Sequence, residues 1–314
     1  MSERKRILIT GATGLLGSNC TFLLSKKYDV LATSRRHAHL KDIKTAPFDI
    51  AVSTNNQIIR QYKPSIIINC AALTNVDYCE DSVDEAKAIN AVGPRNLARL
   101  AAELGAHLIH ISSDSVFDGS GDRFFTEADA PCPINQYGLS KLEGDLAVEN
   151  SGCAYTVLRT TIYGFNALDK LSLGEWMLRE LSEERVIGGF EDIMFTPMLV
   201  NNLVQIIEES FIQQHFGTYH IASEDSVSKY EFGLRLARTF GLNEQLITAR
   251  SSDTVNFKAK RQKNMCLDAK KAQSYFKTPL LTVDQSLMLF HDLYVSGYAH
   301  NLKRILTPSE NAVT

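Results

Sequence analysis

The chain contains no long apolar run, no long block of like charge, no internal repeat and no Cys-x-x-Cys pair. Its first apolar stretch, from Ile7, follows the short basic group Arg4-Lys5-Arg6 and is too short to span or anchor in a membrane. That basic start reads as a solvated lead-in to a strand rather than a targeting signal. Lysine and arginine number 33 against 36 acidic residues, a net charge of −3, which argues against nucleic acid as a partner. The six cysteines, Cys20, Cys70, Cys79, Cys132, Cys153 and Cys266, are scattered, several of them in apolar runs. That usage suits reduced core thiols in a cytoplasmic protein and argues against disulfides and structural zinc. The eight histidines, His37 and His39 among them, lack acidic or cysteine partners at ligand spacing. They read as surface residues, and no metal is expected.

What the chain does have is enough apolar residue, 44% of 314, for one large core or two unequal ones. Apolar runs at Ile7–Thr10, Val30–Thr33, Ile66–Cys70, His107–Ser112 and Tyr155–Arg159 read as strands. Between them, Leu15–Lys27, Asn55–Tyr62, Ser82–Leu104 and Tyr137–Asn150 read as helices. Strands apolar throughout, alternating with amphipathic helices, predict an α/β fold: a doubly wound parallel sheet of the Rossmann type with right-handed crossovers. After about Gly164 the alternation stops, and helical patterns at Leu173–Arg185, Asn201–Gln214 and Lys229–Phe240 mix with turns. The expected organisation is a dinucleotide-binding domain over 1–164, with 194–216 returning to it, and a smaller substrate-binding lobe over most of 165–314. Residues Thr307 to Thr314 read as a polar, frayed end.

Two motifs carry chemistry. Gly11, Gly14 and Gly17 follow the first strand and open a helix, which is the dinucleotide-binding context. Gly11 permits the sharp turn, Gly14 lets the backbone approach a pyrophosphate, and Gly17 allows close packing of helix on strand. The phosphate charge then meets free N–H groups at a helix N-terminus. The second strand ends in Ser34-Arg35-Arg36 without an acidic residue. Two guanidiniums favour the 2′-phosphate of NADP(H), with NAD(H) and a merely solvated loop as the alternatives. Asp49, with Ile50 beside it, reads either as an adenine contact or as a turn. The expected cofactor set is Gly11, Thr13, Gly14, Leu15, Leu16, Gly17, Arg35, Arg36, Asp49, Ile50, Ala71, Ala72 and Asn90, with Tyr137 and Lys141.

Tyr137 and Lys141 lie four apart and share a face of a helix. A phenol titrating near 10 is a poor acid–base group at neutral pH. An adjacent ammonium stabilises the phenolate and lowers that value, as proton transfer requires. Ser113, at the carboxyl end of a strand, faces the crevice and can hold a carbonyl beside the phenol. A Tyr-x-x-x-Lys pair by itself is weak; its weight comes from following Ser112-Ser113 and a long glycine-bearing loop. Asn90 reads as a relay residue, bonded to backbone or water, or as a plain polar helix position.

With these residues in place the chain resembles the extended short-chain dehydrogenase/reductases, and within them the dTDP-4-dehydrorhamnose reductase group. Thr10-Gly-Ala-Thr-Gly-Leu-Leu-Gly17 matches the opening, and Asn69-Cys-Ala-Ala72 with Val76-Asp77 and Glu80 matches the following segment. Ile111-Ser-Ser-Asp-Ser-Val-Phe-Asp-Gly119 and Tyr137-Gly-Leu-Ser-Lys-Leu-Glu-Gly144 match the two catalytic segments. Weaker echoes lie at Thr196-Pro197, Tyr219-His220-Ile221, Arg261-Gln-Lys-Asn264 and Leu267-Asp268. The resemblance implies NADPH-dependent reduction of a nucleotide-linked 4-keto-6-deoxy sugar for polysaccharide or glycoside synthesis. Tyr137 would be the proton donor, Lys141 the ribose-holding partner and Ser113 the carbonyl-holding hydroxyl. Two departures leave the sugar open: Ser115 replaces a tyrosine, and Thr160-Thr161-Ile162-Tyr163 lacks a tryptophan. The same resemblance reaches the NADP-binding beta subunit of methionine adenosyltransferase, a non-catalytic partner protein, and nucleotide-sugar epimerases. Dehydration is disfavoured because Ser115, not Glu, follows Asp114. A homodimer is the expected assembly by base rate.

Overall fold

The computed structural model describes residues 4–36, 38–52 and 57–306. His37, the first two residues of the helix read from Asn55, and the tail read from Thr307 lie outside the described residues.

The first half alternates as its apolar runs predict: β1 (Arg6–Thr10), α1 (Leu15–Leu24), β2 (Asp29–Ser34), β3 (Lys44–Pro47), α2 (Gln57–Tyr62) and β4 (Ile66–Asn69). It continues with α3 (Val76–Asp81), α4 (Val83–Lys87), α5 (Gly93–Leu104), β5 (His107–Ile111), α6 (Gln136–Glu149) and β6 (Tyr155–Arg159). The stretch read as one helix over Ser82–Leu104 is instead α4 and α5 joined by a π turn at Ala88–Val92. Pro94, in the first turn of α5, has no N–H to donate, and its ring crowds the carbonyl four residues back, so the helix widens there.

The second half holds β7 (Ile162–Tyr163), α7 (Leu173–Ser182), β8 (Ile187–Phe190), β9 (Met194–Phe195), β10 (Met198–Leu199), α8 (Val200–Gln213) and β11 (Gly217–His220). Then come β12 (Val227–Ser228), α9 (Lys229–Phe240), β13 (Ile247–Arg250), β14 (Asn264–Met265), α10 (Lys270–Tyr275), α11 (Val283–Val295) and α12 (Tyr298–Lys303).

Seven strands form a parallel sheet in the order β11-β6-β5-β4-β1-β2-β3. The segment read as returning to the sheet over 194–216 extends to His220, because β11 pairs with β6 through Gly217–Thr156 to His220–Arg159. Side chains of the central strands alternate between two cores, as a period of two requires. Ile7, Ile9, Ile66, Ile68, Ile109 and Leu158 enter one, while Leu8, Ile67, Leu108 and Val157 enter the other. Each such side chain contributes about 1.5–3 kcal/mol by leaving water. The larger core runs on through α8 into α7, α9 and α11, so the sheet and the elements of the second half share one interior. The histidines divide against expectation. His39 is exposed, but His107, His110 and His220 are buried on sheet strands, each with its ring bonded to a neighbour.

Candidate active site

A cleft of about 660 Å³ opens beside β1, β4 and β5 at their carboxyl ends, where the strand order reverses between β1 and β4. One end is built by the glycine turn. Gly11 sits at φ +64°, and a Cβ there would stand 2.7 Å from the backbone of Ala71. A Cβ on Gly17 would stand 2.1 Å from the Gly11 carbonyl oxygen, so α1 rests directly on the turn. Gly14 caps α1 with no side-chain hydrogen bond, leaving the first-turn N–H groups and the positive end of the helix to an anion. These features fit a dinucleotide pyrophosphate.

Of the residues expected to hold the cofactor, Thr13, Gly14, Leu15, Leu16, Ala72, Tyr137 and Lys141 line this cleft. Arg35 and Arg36 do not; both are exposed after β2, and Arg35 is paired with Glu85 at 3.2 Å. Asp49 is a turn residue whose carboxylate accepts the Ala51 N–H at 2.9 Å. Ile50 is a core residue lying over Gly93, where a Cβ would stand 2.5 Å from its Cδ1. Ala71 packs on Gly11, and its N–H donates to Asn69 at 3.3 Å. Asn90, buried in the π turn, grips the Leu73 N–H at 2.9 Å, the Leu73 carbonyl at 3.0 Å and the Ser140 hydroxyl at 3.1 Å. Its side chain is thus bonded to backbone, and it stands outside the cleft lining.

Ser113, Tyr137 and Lys141 all line the cleft, with the Ser113 hydroxyl in hydrogen-bond reach of the Tyr137 phenol. Ser113 follows β5 and caps a short 3₁₀ turn at Asp114–Val116, its Oγ accepting the Ser115 N–H at 3.2 Å and donating to Asp114 at 2.9 Å. Asn135 caps α6 through the Gly138 N–H at 2.8 Å and so fixes Tyr137 in the first turn. A Cβ on Gly138 would lie 2.2 Å from the Ser115 carbonyl oxygen, so the missing side chain is what lets α6 close on the serine turn. One turn along, Lys141 is buried, and its Nζ donates to the Ile111 carbonyl at 2.7 Å.

Burial dominates the electrostatics. It pushes the Lys141 ammonium down to about 8, opposed by the charge of Asp145. It raises the Tyr137 phenol well above its ordinary value; the Ser113 hydroxyl pulls the other way and the Asp114 charge adds to the rise. The lowered phenol expected from the sequence is therefore corrected to a raised one, because desolvation outweighs the neighbouring hydroxyl. Asp114 is also raised by burial, although its carboxylate accepts from Ser113, Ser115 and Thr161.

The far wall was not legible beforehand. Phe190 and Phe257 stand edge to face with centroids 5.7 Å apart, and the Arg261 guanidinium lies 4.7 Å from the Phe257 centroid. Lys229, the first residue of α9, also lines the cleft; burial lowers its pKa while Asp114 opposes. Arg261 reaches back to Asp77 on α3 at 2.9 Å, and the Ala259 N–H meets the same carboxylate at 2.9 Å. Gln262 donates to the Ser115 and Phe117 carbonyls, each at 3.2 Å. The segment 257–262 thus ties α3 to the turn that follows Ser113. Only Arg261 and Gln262, within a weak echo, offered any sequence signal.

Comparison with known proteins gives a consistent picture. The sequence profile described as the RmlD substrate binding domain matches residues 5–295. The dTDP-4-dehydrorhamnose reductase of Aggregatibacter actinomycetemcomitans is 32% identical over 288 residues, covering 86% of this chain and 93% of that one. The methionine adenosyltransferase 2 subunit beta of Mus musculus is 30% identical over 309 residues, covering 91% of this chain and 88% of that one. The crystal structure of dTDP-4-dehydrorhamnose reductase from Bacillus anthracis in complex with NADP superposes with a TM-score of 0.83 at 28% identity, covering 92% and 99% of the two chains.

Proposed function

Since the chain belongs to the RmlD substrate-binding-domain family, we propose that it is an NADPH-dependent reductase of a nucleotide-linked 4-keto-6-deoxy sugar. The observation that carries this reading is the meeting of Ser113, Tyr137 and Lys141 in a cleft that begins at the Gly14 helix cap. When bound, the reduced nicotinamide supplies the hydride. Ser113 holds the carbonyl oxygen, with its own hydroxyl oriented by Asp114 and the Ser115 N–H. Tyr137, protonated at neutral pH because burial raises its pKa, gives its proton to that oxygen as negative charge develops there. The Lys141 ammonium stands one turn away and stabilises the phenolate left behind. Phe190, Phe257 and Arg261 form the wall against which the rest of the substrate lies, and the two phenylalanines supply ring surface to a cleft without a tyrosine at position 115 or a tryptophan at 160–163.

The test is loss of NADPH absorbance with a panel of nucleotide-linked 4-keto-6-deoxy sugars, with Tyr137→Phe alongside. Turnover abolished by that change supports the reductase and names its substrate. A tightly retained NAD with no net consumption of NADPH favours an epimerase. The 30% identity with a methionine adenosyltransferase beta subunit across 91% of the chain supports a second reading, a partner protein that binds NADP without turnover. NADPH binding with no consumption by any panel member favours it.

A further inference from the structure

Beneath the catalytic face of α6 lies a buried polar cluster that the reaction as written does not use. Asp145, four residues beyond Lys141, is fully buried, and its Oδ2 accepts the Ser112 hydroxyl at 2.9 Å and the Arg159 Nε–H at 3.1 Å. Among the described residues its Oδ1 has no partner at good hydrogen-bond geometry, and the ring Nε2 of His110 stands 3.5 Å away. The proton on that ring can be traced from the neighbours. Asn69 Oδ1 accepts from the Thr10 hydroxyl at 2.7 Å and the Ala71 N–H at 3.3 Å, which turns its amide nitrogen toward His110 Nδ1 at 3.0 Å. His110 Nδ1 therefore accepts, Nε2 carries the hydrogen, and the ring is neutral; burial and the Lys141 charge both hold it so.

The carboxylate pairs directly with Arg159, and Lys141, one turn earlier on the same face of α6 and equally buried, feels its charge without touching it. Among the described residues, the hydrogen bond made by the Lys141 Nζ goes to the neutral Ile111 carbonyl. A buried ammonium without a countercharge sheds its proton. We propose that Asp145 is a positioning residue for the proton transfer, its buried carboxylate holding Lys141 in the charged form beneath Tyr137. The other ionisable groups around the pair are Tyr137 on α6, Cys70 after β4, His110 on β5, Arg159 on β6 and Asp114 after β5. Of the groups that favour the charged Lys141, Asp145 weighs more than Cys70, and Arg159 competes for the carboxylate. Asp114 is engaged by three hydroxyls. Asp145 is therefore the group whose removal Lys141 feels.

The consequence for turnover rests on the reductase reading, but the charge on Lys141 can be read in the free protein. The experiment is a pH titration of the Lys141 ¹³Cε resonance in lysine-labelled protein, assigned with Lys141→Arg. Wild type is expected to titrate near 8. Asp145→Asn lowers that midpoint by about one to three units, the usual effect of losing a close opposite charge, and Asp145→Glu restores it. Arg159→Gln, which frees the carboxylate, moves the midpoint upward. A folded Asp145→Asn with the wild-type midpoint, or a downward shift in Arg159→Gln, overturns the proposal. Should Asp145→Asn fail to fold, the Asp145→Glu midpoint and the sign of the Arg159→Gln shift decide. In turnover, the alkaline limb of kcat follows the resonance; an active enzyme whose limb stays put while the resonance moves also overturns it. Shifted midpoints in a protein that reduces no sugar uphold the charge assignment and count against the reductase reading alone.

Discussion

Replacing Gly138 by alanine separates catalytic geometry from stability. The added Cβ would stand 2.2 Å from the Ser115 carbonyl oxygen and 2.9 Å from Pro133 Cβ, where ordinary contact begins at 3.4 Å. The oxygen belongs to backbone, and Gln262 donates to it at 3.2 Å, so it cannot simply swing away. The first turn of α6 must retreat by about 1 Å, carrying Tyr137 away from Ser113, and a displacement of that size costs about 100-fold in rate. Stability moves less, because two effects oppose. Alanine improves on glycine in a helix by about 1 kcal/mol, while overpacking costs about 1–3 kcal/mol. The assay is kcat for NADPH-linked reduction alongside a thermal melt. We expect kcat to fall about 100-fold with NADPH affinity nearly unchanged and a net loss of about 0–2 kcal/mol. A folded Gly138→Ala enzyme retaining kcat within about threefold of wild type would refute the argument that this contact sets the reacting distance.

Two further outcomes follow from features away from the tyrosine. If Arg35 leaves Glu85 for the 2′-phosphate, Arg35→Ala weakens NADPH about 10- to 100-fold and leaves NADH unchanged, in line with the strength of a charged hydrogen bond; equal losses for both cofactors would remove Arg35 from that role. Acid should also destabilise the fold. Burial lowers His107 and His220 to about 4. Between pH 6.5 and 4 the unfolded chain then binds more protons, and stability falls as pH falls through that window, by up to about 3 kcal/mol per histidine. Urea unfolding at pH 7 and pH 5 measures the slope. His107→Asn should flatten it, and a variant with the full wild-type slope would show that His107 is not its source.

The sheet was legible because its central strands are buried on both faces and so read as unbroken apolar runs; the strand bounds agree to within one residue for Ile7–Thr10 and Tyr155–Arg159. Edge strands carry no such mark. Only Ala46 of β3 is buried, and β11 reads Gly-Thr-Tyr-His, so neither stood out from loop. The break in the Ser82–Leu104 helix did have a signal, Gly93-Pro94, which the strong periodicity around it concealed. The residues proposed as catalytic lie within two short segments, so motif spacing alone brings them forward as candidates. Lys229, Phe190 and Phe257 reach the cleft from separate elements of the lobe, and no local pattern announces which face of α9 or β8 will meet the sheet. The phenol was misjudged for a related reason: sequence spacing reveals the ammonium but not the depth of burial, and depth decides the sign.

The late arrival of β11 bears on how this architecture can be built and rearranged. The seventh strand of the sheet emerges from the ribosome only after α7, β8, β9, β10 and α8 have been made. Until then β6, carrying Val157 and Leu158, is an open apolar edge, the kind of surface on which nascent chains associate with one another. A protein cut at Gly164 would keep that edge for good. The elements between β6 and β11 are therefore an insertion within the sheet's own sequence, whereas α9 to α12 follow its last strand. Recombination among relatives would therefore meet the cleft wall in two places: junctions flanking the insertion would exchange Phe190 and leave Lys229, Phe257 and Arg261 behind, whereas a crossover after His220 would exchange those three and keep the native edge strand.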